Sequence, residues 1–298
     1  MPKTPNMDDL ASPVATPQTF DAARQQLLQR RAARRRARLK APQFIFERIA
    51  ADMADRLLMI NRRFETALLI APDGFEARLR AHLHNDKIPA QLITTPLAKL
   101  GGAIKNAPHF DLVILCLAHH SETNPVGLLK ALKERMVDDG HIITVCFGGE
   151  SLSSLRGALF AADEYFFGRI SARIHPMISL QQNVELLAHC GFNLTMGDRD
   201  RLTVNYKALQ TLINDLRDMG ETYTLSAKRI AALDRSFWDD VEVRLKSSPE
   251  TLESGRVKVI YDILWSSGWT PHESQQKPLK PGSAKHHLSE AFKPRPKT

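Results

Sequence analysis

The sequence predicts an α/β fold with a doubly wound, mostly parallel sheet and a helical extension at the amino terminus. Three observations predict it. Short, wholly apolar runs recur along the chain, as in strands that are buried on both faces. Segments with apolar residues spaced three and four apart separate these runs, as in helices that pack on a core. Turn residues lie between the two kinds of segment. This alternation is typical of parallel βαβ units with helices on both faces.

The elements follow from these patterns in chain order. A basic, Ala- and Leu-rich helix is expected over 20–39, and an apolar helical stripe over 43–60. Strands are expected at 66–71, 91–94, 110–117 and 141–147, with helices at 75–84 and 126–136 and a turn at Asp139-Gly140. The second half is less regular. Its expected helices are 151–162, 181–190, 207–219 and 226–246, and its expected strands lie near 193–197, 202–206 and 256–265.

Composition excludes several classes of protein. The chain has 298 residues, of which 43% are hydrophobic and 7% aromatic, so it is not disordered throughout. Its three cysteines include no C-x-x-C pair, which argues against a disulfide scaffold or a cysteine zinc site and favours a reducing compartment. No apolar run approaches the ~18 residues of a membrane span, and the first twenty residues lack the apolar block of a secretion signal.

The net charge of +8 is concentrated at the two ends. Residues 1–41 carry +6, residues 271–298 carry +4, and the body between them carries −2. The run RRAARRRARLK (30–40) is compatible with a solvated helix face or with weak contact to an anionic membrane. It has no interleaved aromatic residues and no recognisable motif, so a nucleic-acid partner is not expected.

These patterns divide the chain into four segments. Residues 1–19 contain four prolines and are expected to form a disordered lead. Residues 20–62 form the basic helical extension and 63–270 the α/β domain. Residues 271–298 are expected to be a basic tail that wraps the surface.

A ligand of an open α/β sheet binds at the carboxyl ends of its strands. After the first strand, Asp73 is either a cap of the next helix or a ligand-binding carboxylate, and Pro72 lacks a backbone donor. After the second, Thr94 and Thr95 are the polar groups, with no acid for a ribose diol. After the third come His119 and His120. A base, a metal ligand and a plain loop residue are all open interpretations there. No acid or thiolate is spaced to complete a metal shell, so no metal is expected.

Several motifs resemble one known family. They are FDLV (110–113), GGESLSSLR (148–156), RIHP (173–176), AHCGF (188–192), LTVNY (202–206), DLRDMGE (215–221) and the long segment GWTPHESQQKPLKPGSA (268–284). Together they resemble the class I S-adenosylmethionine methyltransferase superfamily, in the branch near the malonyl-carrier-protein methyltransferases of the biotin pathway. More closely, the chain is similar to the respiratory complex I assembly factor 5 family and its alphaproteobacterial relatives.

The resemblance implies a fold, a cofactor and a partner. The fold is a seven-stranded sheet of the class I methyltransferase type, and the cofactor is S-adenosylmethionine. The partner is a protein client, a complex I subunit, which is methylated or hydroxylated on arginine. By position in the motifs, the cofactor would be bordered by Ala71, Pro72, Asp73, Gly74 and Thr94. The catalytic candidates are His120 near the transfer site and Glu150 and Arg156 on the substrate side.

The chain departs from the family pattern at the first strand. Leu69 stands where the family has an acid, and Ala71 stands where it has the first glycine of the cofactor loop. Two hypotheses therefore remain open: a protein-modifying enzyme with a variant cofactor loop, and an inactive assembly chaperone that keeps the fold. In the second, Gly148 and Gly149 make a tight turn, Glu150 caps a helix and Arg156 forms a buried ion pair.

Two further expectations concern the carboxyl-terminal motif and the compartment. Trp269, His272 and Glu273 are as compatible with a clasp over the sheet edge as with catalysis. A cytoplasmic location is expected for a bacterial chain, peripheral to the membrane if the basic helix binds it, and the mitochondrial matrix for a eukaryotic one.

Overall fold

The computed structural model describes residues 20–39, 43–225 and 233–276. Its helices are α1 (Ala22–Leu39), α2 (Phe44–Met59), α3 (Phe75–His82), α4 (Leu100–Ile104), α5 (Pro125–Lys133), α6 (Ser153–Phe167), α7 (Leu180–His189), α8 (Leu209–Met219) and α9 (Arg235–Lys246). Its strands are β1 (Thr66–Ile70), β2 (Gln91–Thr95), β3 (Phe110–Cys116), β4 (Met136–Gly148), β5 (Asn193–Tyr206) and β6 (Val257–Trp269). The lead 1–19, the first part of the helix expected over 226–246 and most of the tail 271–298 lie outside the described residues.

The strands form one sheet in the order β2-β1-β3-β4-β6-β5. Strands β1 to β4 run parallel, and β6 lies antiparallel between β4 and β5. The chain crosses to the far side of β1 between β2 and β3, so the sheet is doubly wound and has the class I methyltransferase fold. The predicted fold class is confirmed.

The number of strands differs from the prediction. The described residues form six strands where seven were predicted. Only residues 96–109 connect β2 to β3, and they hold a short 3₁₀ turn and α4. Fourteen residues are too few for another parallel strand, which needs a crossover of about a dozen residues on each side.

The central strands of the sheet are buried on both faces because they are wholly apolar. Alternate residues such as Leu68 and Val113 pack on one face, and Leu69 and Leu112 pack on the other. The predicted helical stripe of α2 contributes most of its members to the second face, where Phe46, Ile49, Met53 and Leu57 are buried. This packing fixes the ends of β1, β3 and β4, from which the candidate site is built.

Two local predictions are wrong. The turn expected at Asp139-Gly140 lies inside β4, as an irregularity in its pairing with β3 at which Asp139 has a φ of 56°. The two strands expected near 193–197 and 202–206 are one continuous strand, β5, because β6 pairs with it along its whole length. Tertiary pairing overrides local turn propensity at both places.

Candidate active site

A cavity at the carboxyl edge of the sheet lies at the ends of β1, β2 and β3. We call it the cofactor cavity. Its volume is about 550 Å³, and segments 71–73, 96–100 and 116–118 line it. Helix α1 covers one side through Gln25, Gln26 and Gln29. This is the place in a doubly wound sheet where a nucleotide-like ligand binds.

The predicted cofactor residues divide into two groups. Ala71, Pro72 and Asp73 line the cofactor cavity, and Gly74 follows them as the residue that precedes α3, with a φ of 85°. Thr94 does not line it, since its side chain is exposed and hydrogen-bonds Glu76. At the end of β2 the buried position is taken by Thr95, whose Oγ1 donates to the carbonyl of Pro96 at 3.2 Å.

The lining of the cofactor cavity fits the chemistry of S-adenosylmethionine. Asp73 and Glu122 supply carboxylates for an ammonium and a sulfonium, and Arg30 and Lys99 supply cations for a carboxylate. Amide side chains and the apolar groups of Leu97, Ala98, Leu100 and Leu128 suit a ribose and an adenine ring. The open space beside Pro72 also shows that the altered loop leaves the cavity unfilled.

Helix α1 is hydrogen-bonded to the rest of the domain at two places beside this cavity. Gln25 Nε2 donates to Ser121 Oγ at 2.6 Å. Arg36 donates to the carbonyl of Asp73 at 3.0 Å and to the carbonyl of Asp218 at 2.8 Å. Arg36 is nearly buried, and this burial lowers the pKa of its guanidinium. The basic extension is therefore part of the site.

The second cavity, which we call the substrate cavity, lies beside the first at the ends of β3 and β4. Its volume is about 320 Å³. Residues of α1, α6 and α8 enclose it, together with the segments 173–177 and 221–223. Of the predicted catalytic residues, His120 lines this cavity.

His120 is paired with a residue that sequence reasoning missed. Its Nε2 lies 2.9 Å from Glu221 Oε2, and the two side chains are 4% and 10% exposed. The ring contacts Phe147 edge to face, with 6.2 Å between the ring centroids. Its other nitrogen, Nδ1, is buried and has no hydrogen-bond partner among the described residues. Glu221 belongs to DLRDMGE, a motif matched only by its order in the chain, so no spacing signal joined it to His120.

Other polar side chains in the cavity wall are held by internal bonds. Arg173 makes a bidentate pair with Asp163, which is fully buried, and its guanidinium lies 4.8 Å from the ring centroid of Phe237. His175 Nε2 accepts a hydrogen bond from the backbone of Thr224 at 3.0 Å. Burial lowers the pKa of His175, while the carboxylate of Glu221 opposes the shift. These bonds therefore fix the positions of the Arg173 and His175 side chains without a ligand.

The segment GGESLSSLR builds the turn after β4. Its Ser151, Leu152 and Leu155 line the substrate cavity, whereas the predicted catalytic residues Glu150 and Arg156 do not. Glu150 is exposed, and its backbone N–H donates to Asp262 Oδ2 at 2.9 Å. Arg156 donates to the carbonyl of Ser151 at 3.3 Å. A Cβ on Gly149, whose φ is 56°, would lie 2.7 Å from Asp262 Oδ2, so this residue must be small.

The structural interpretation of this segment holds only for its glycines. The residue before α6 is Leu152, with no side-chain cap, so the expected cap by Glu150 is wrong. Arg156 forms no ion pair within the described ranges, so the expected buried pair is wrong as well. The ion pair of this region joins the exposed Arg201 to the buried carboxylate of Asp262 at 2.8 Å.

The carboxyl-terminal motif begins at the opposite edge of the sheet. Trp269 is paired with His141 near the start of β4, and their rings lie 4.2 Å apart. His272 and Glu273 follow directly and are exposed. This part of the motif therefore lies away from both cavities, which agrees with a structural role.

Comparison with known proteins identifies relatives of one kind. The Danio rerio protein named arginine-hydroxylase NDUFAF5, mitochondrial, is 29% identical over 261 residues, which cover 81% of this chain and 79% of that protein. The predicted family resemblance is confirmed. The Dictyostelium discoideum protein of the same name is 29% identical over 180 residues, 60% of this chain, and the match spans only 41% of that protein's length.

Two more distant proteins also match part of the chain. A malonyl-[acyl-carrier protein] O-methyltransferase of Xylella fastidiosa is 25% identical over 247 residues, 78% of this chain and 75% of that protein. A solved structure of a putative methyltransferase from Bacillus halodurans covers 74% of this chain and 99% of its own, at 12% identity and a TM-score of 0.44. No family model matches the chain.

Residues 20–39, 43–225 and 233–276 contain no group of three or more His, Cys, Asp or Glu side chains placed to hold a metal ion. None of the helices they form has the length and apolar character to cross a membrane.

Proposed function

We propose that this chain is a protein-modifying enzyme that binds S-adenosylmethionine in the cofactor cavity and acts on a client side chain in the substrate cavity. The observation that carries this proposal is the closeness of the two cavities. Leu117 and Ala118 line the first, and His120, two residues later, lines the second. A group held in one cavity can therefore reach a group held in the other, which transfer chemistry requires.

The client and the reaction are taken from the relatives. Their name, arginine hydroxylase, supports a protein side chain as the substrate, and the resemblance supports a complex I subunit as the client. Methyl transfer and arginine hydroxylation both remain compatible with the two cavities. We place the activity in the cytoplasm of a bacterial cell, with no nucleic-acid partner.

Calorimetric titration of the full chain with S-adenosylmethionine and with S-adenosylhomocysteine tests this proposal. We expect binding in the micromolar range for both. The matched pair of variants is Asp73→Asn and Asp86→Asn. Asp73 lines the cofactor cavity and Asp86 does not, so only the first should weaken binding, by about 10-fold or more. No heat at millimolar ligand contradicts the proposal.

A second candidate function is an assembly chaperone without chemistry. One observation favours it: β2 ends at the buried Thr95, so no acid stands where a ribose diol would be held. Loss of one bidentate charged contact costs about 2–4 kcal/mol of binding free energy. A chain that supports complex I assembly equally well with the cofactor cavity blocked would establish this alternative.

The exposed face of α1 supports a weak contact with an anionic membrane. Arg30, Arg31, Arg34 and Arg38 are exposed on this helix. Each cation near an anionic surface contributes about 1 kcal/mol, and salt screens the contact. Pelleting with phosphatidylserine vesicles should therefore decrease as the salt concentration rises, and pelleting that salt does not change contradicts the contact.

A further inference from the structure

We infer that His120 and Glu221 form a general base whose ring is oriented by a carboxylate, and that the substrate cavity accepts a client side chain whose reacting atom carries a removable proton. The inference rests on the proposed function, which supplies the client. It adds a positioning residue, Glu221, and a substrate class.

The hydrogen bond fixes which ring nitrogen is available. An ionised carboxylate only accepts hydrogen bonds, so Glu221 holds the ring proton on Nε2 at 2.9 Å. Nδ1 then keeps its lone pair. Since Nδ1 is buried without a partner among the described residues, and the ring lines the substrate cavity, a ligand there is its natural partner.

The neighbouring titratable groups do not compete for this role. Burial lowers the pKa of His119 to about 4 and also lowers that of His175, so both rings are neutral at pH 7. Burial raises the thiol pKa values of Cys116 and Cys146, which therefore stay protonated. The charged groups that remain near the ring are Glu221 itself and three arginines of the cavity wall, Arg24, Arg173 and Arg217.

Two of these arginines are already engaged, since Arg173 pairs with Asp163. Arg24 Nε donates to the carbonyl of Tyr223 at 2.9 Å, and its guanidinium lies 5.9 Å from the Tyr223 ring centroid. Glu221 is therefore the charged group in direct hydrogen-bond contact with the ring.

The proton transfer that follows is simple. As the client atom reacts, its N–H or O–H bond breaks and the electron pair stays on that atom. The proton forms a new bond to Nδ1 of His120. Glu221 stabilises the resulting imidazolium at short range, as the buried carboxylate does in catalytic triads.

This arrangement selects among side chains. A client carboxylate has no proton to give and would face the charge of Glu221, so carboxyl methylation gains nothing from the base. An amine, guanidine or hydroxyl group gains the proton acceptor. The apolar side chains of Leu152, Leu155 and Ile213 line the same cavity and suit an aliphatic stem behind the reacting atom.

The test is nitrogen-15 NMR of the full chain with labelled histidine, in which His120→Gln assigns the His120 signals. In the parent protein we expect the Nε2–H tautomer with an unprotonated Nδ1. In Glu221→Gln, whose amide can donate as well as accept, the preference for the Nε2–H tautomer of His120 should be lost. The control is Glu47→Gln, which removes the carboxylate of the exposed His82–Glu47 pair and should leave His120 unchanged.

Two small molecules of similar length, one an alkylammonium and one a carboxylate, test the substrate class. Millimolar n-butylammonium should shift the Nδ1 signal of the parent protein, and butyrate should not. A proton on Nδ1 in the free protein, an unaltered tautomer preference in Glu221→Gln, or an equal Nδ1 shift with butyrate overturns the inference.

Calorimetry on the same samples distinguishes a failure of the inferred general base from a failure of the proposed function. Neither His120 nor Glu221 lines the cofactor cavity, so S-adenosylmethionine should bind Glu221→Gln as it binds the parent. If the parent protein does not bind S-adenosylmethionine, the proposed function is refuted, but the NMR result for the His120 ring is unaffected. A wrong tautomer beside normal cofactor binding refutes only the base.

Discussion

Replacing Asp163 with Asn should destabilise the protein more than any change to a surface ion pair. The Asp163 carboxylate is fully buried. It accepts from Arg173 Nε at 2.9 Å, from Arg173 Nη2 at 2.5 Å and from the backbone N–H of Ser171 at 3.1 Å. The Arg173 side chain is 11% exposed, so the variant leaves a guanidinium nearly buried and unpaired. Breaking a buried pair from one side costs about 3–5 kcal/mol of unfolding free energy.

Urea unfolding followed by circular dichroism measures this loss. With a denaturant dependence of roughly 3 kcal/mol per molar, the unfolding midpoint should fall by about 1–1.7 M. The control is Asp239→Asn, since the Arg235–Asp239 pair is 3.7 Å long and largely exposed, and its midpoint should match the parent. A loss below about 1 kcal/mol for Asp163→Asn would refute the claim that this pair holds the wall of the substrate cavity.

Three other changes give distinct outcomes. Gly149→Ala should lower the free energy of unfolding, measured in urea, by at least about 1 kcal/mol more than Gly168→Ala. Both glycines have a positive φ, but only at Gly149 would the new Cβ meet a neighbour, Asp262 Oδ2 at 2.7 Å. Equal losses in the two variants would contradict this. The unfolded chain protonates His119 near pH 6.5 and the folded chain only near pH 4, so the unfolding free energy should fall by about 3 kcal/mol across that window. His119→Asn should show a smaller fall in urea titrations at pH 7 and pH 4.5, and an unchanged fall would count against the burial argument. Ala98→Trp should fill the cofactor cavity and reduce S-adenosylmethionine affinity by about 100-fold in calorimetry, with an unchanged circular dichroism spectrum; undiminished binding would mean that the ligand lies elsewhere.

The central part of the fold could be predicted because its strands are continuous apolar runs. The segments around Leu69 and Ile114 carry that signal without help from the rest of the chain. Strand β5 does not, because DRDR at 198–201 has no apolar period, and it is extended only because β6 pairs with it. The family pattern predicts a seventh strand that the described residues do not form. Its absence could have been predicted only by comparing the length of the β2–β3 connection with that pattern.

The site was predicted only in part, for a related reason. Asp73 and His120 follow predicted strands directly, so strand ends locate them from the sequence. Glu221 lies 101 residues from His120 and reaches it only after α8 has packed. Glu150 was placed by its motif, but the backbone turn at Gly149 directs that segment toward Asp262.

A crystal structure of the full chain grown with S-adenosylhomocysteine tests the central claim most directly. We expect the adenosyl group between segments 71–73 and 96–100, under α1, with its sulfur facing the turn that leads to His120. An empty cavity in crystals that hold the ligand at saturating concentration, or an adenosyl group bound elsewhere, would contradict the account.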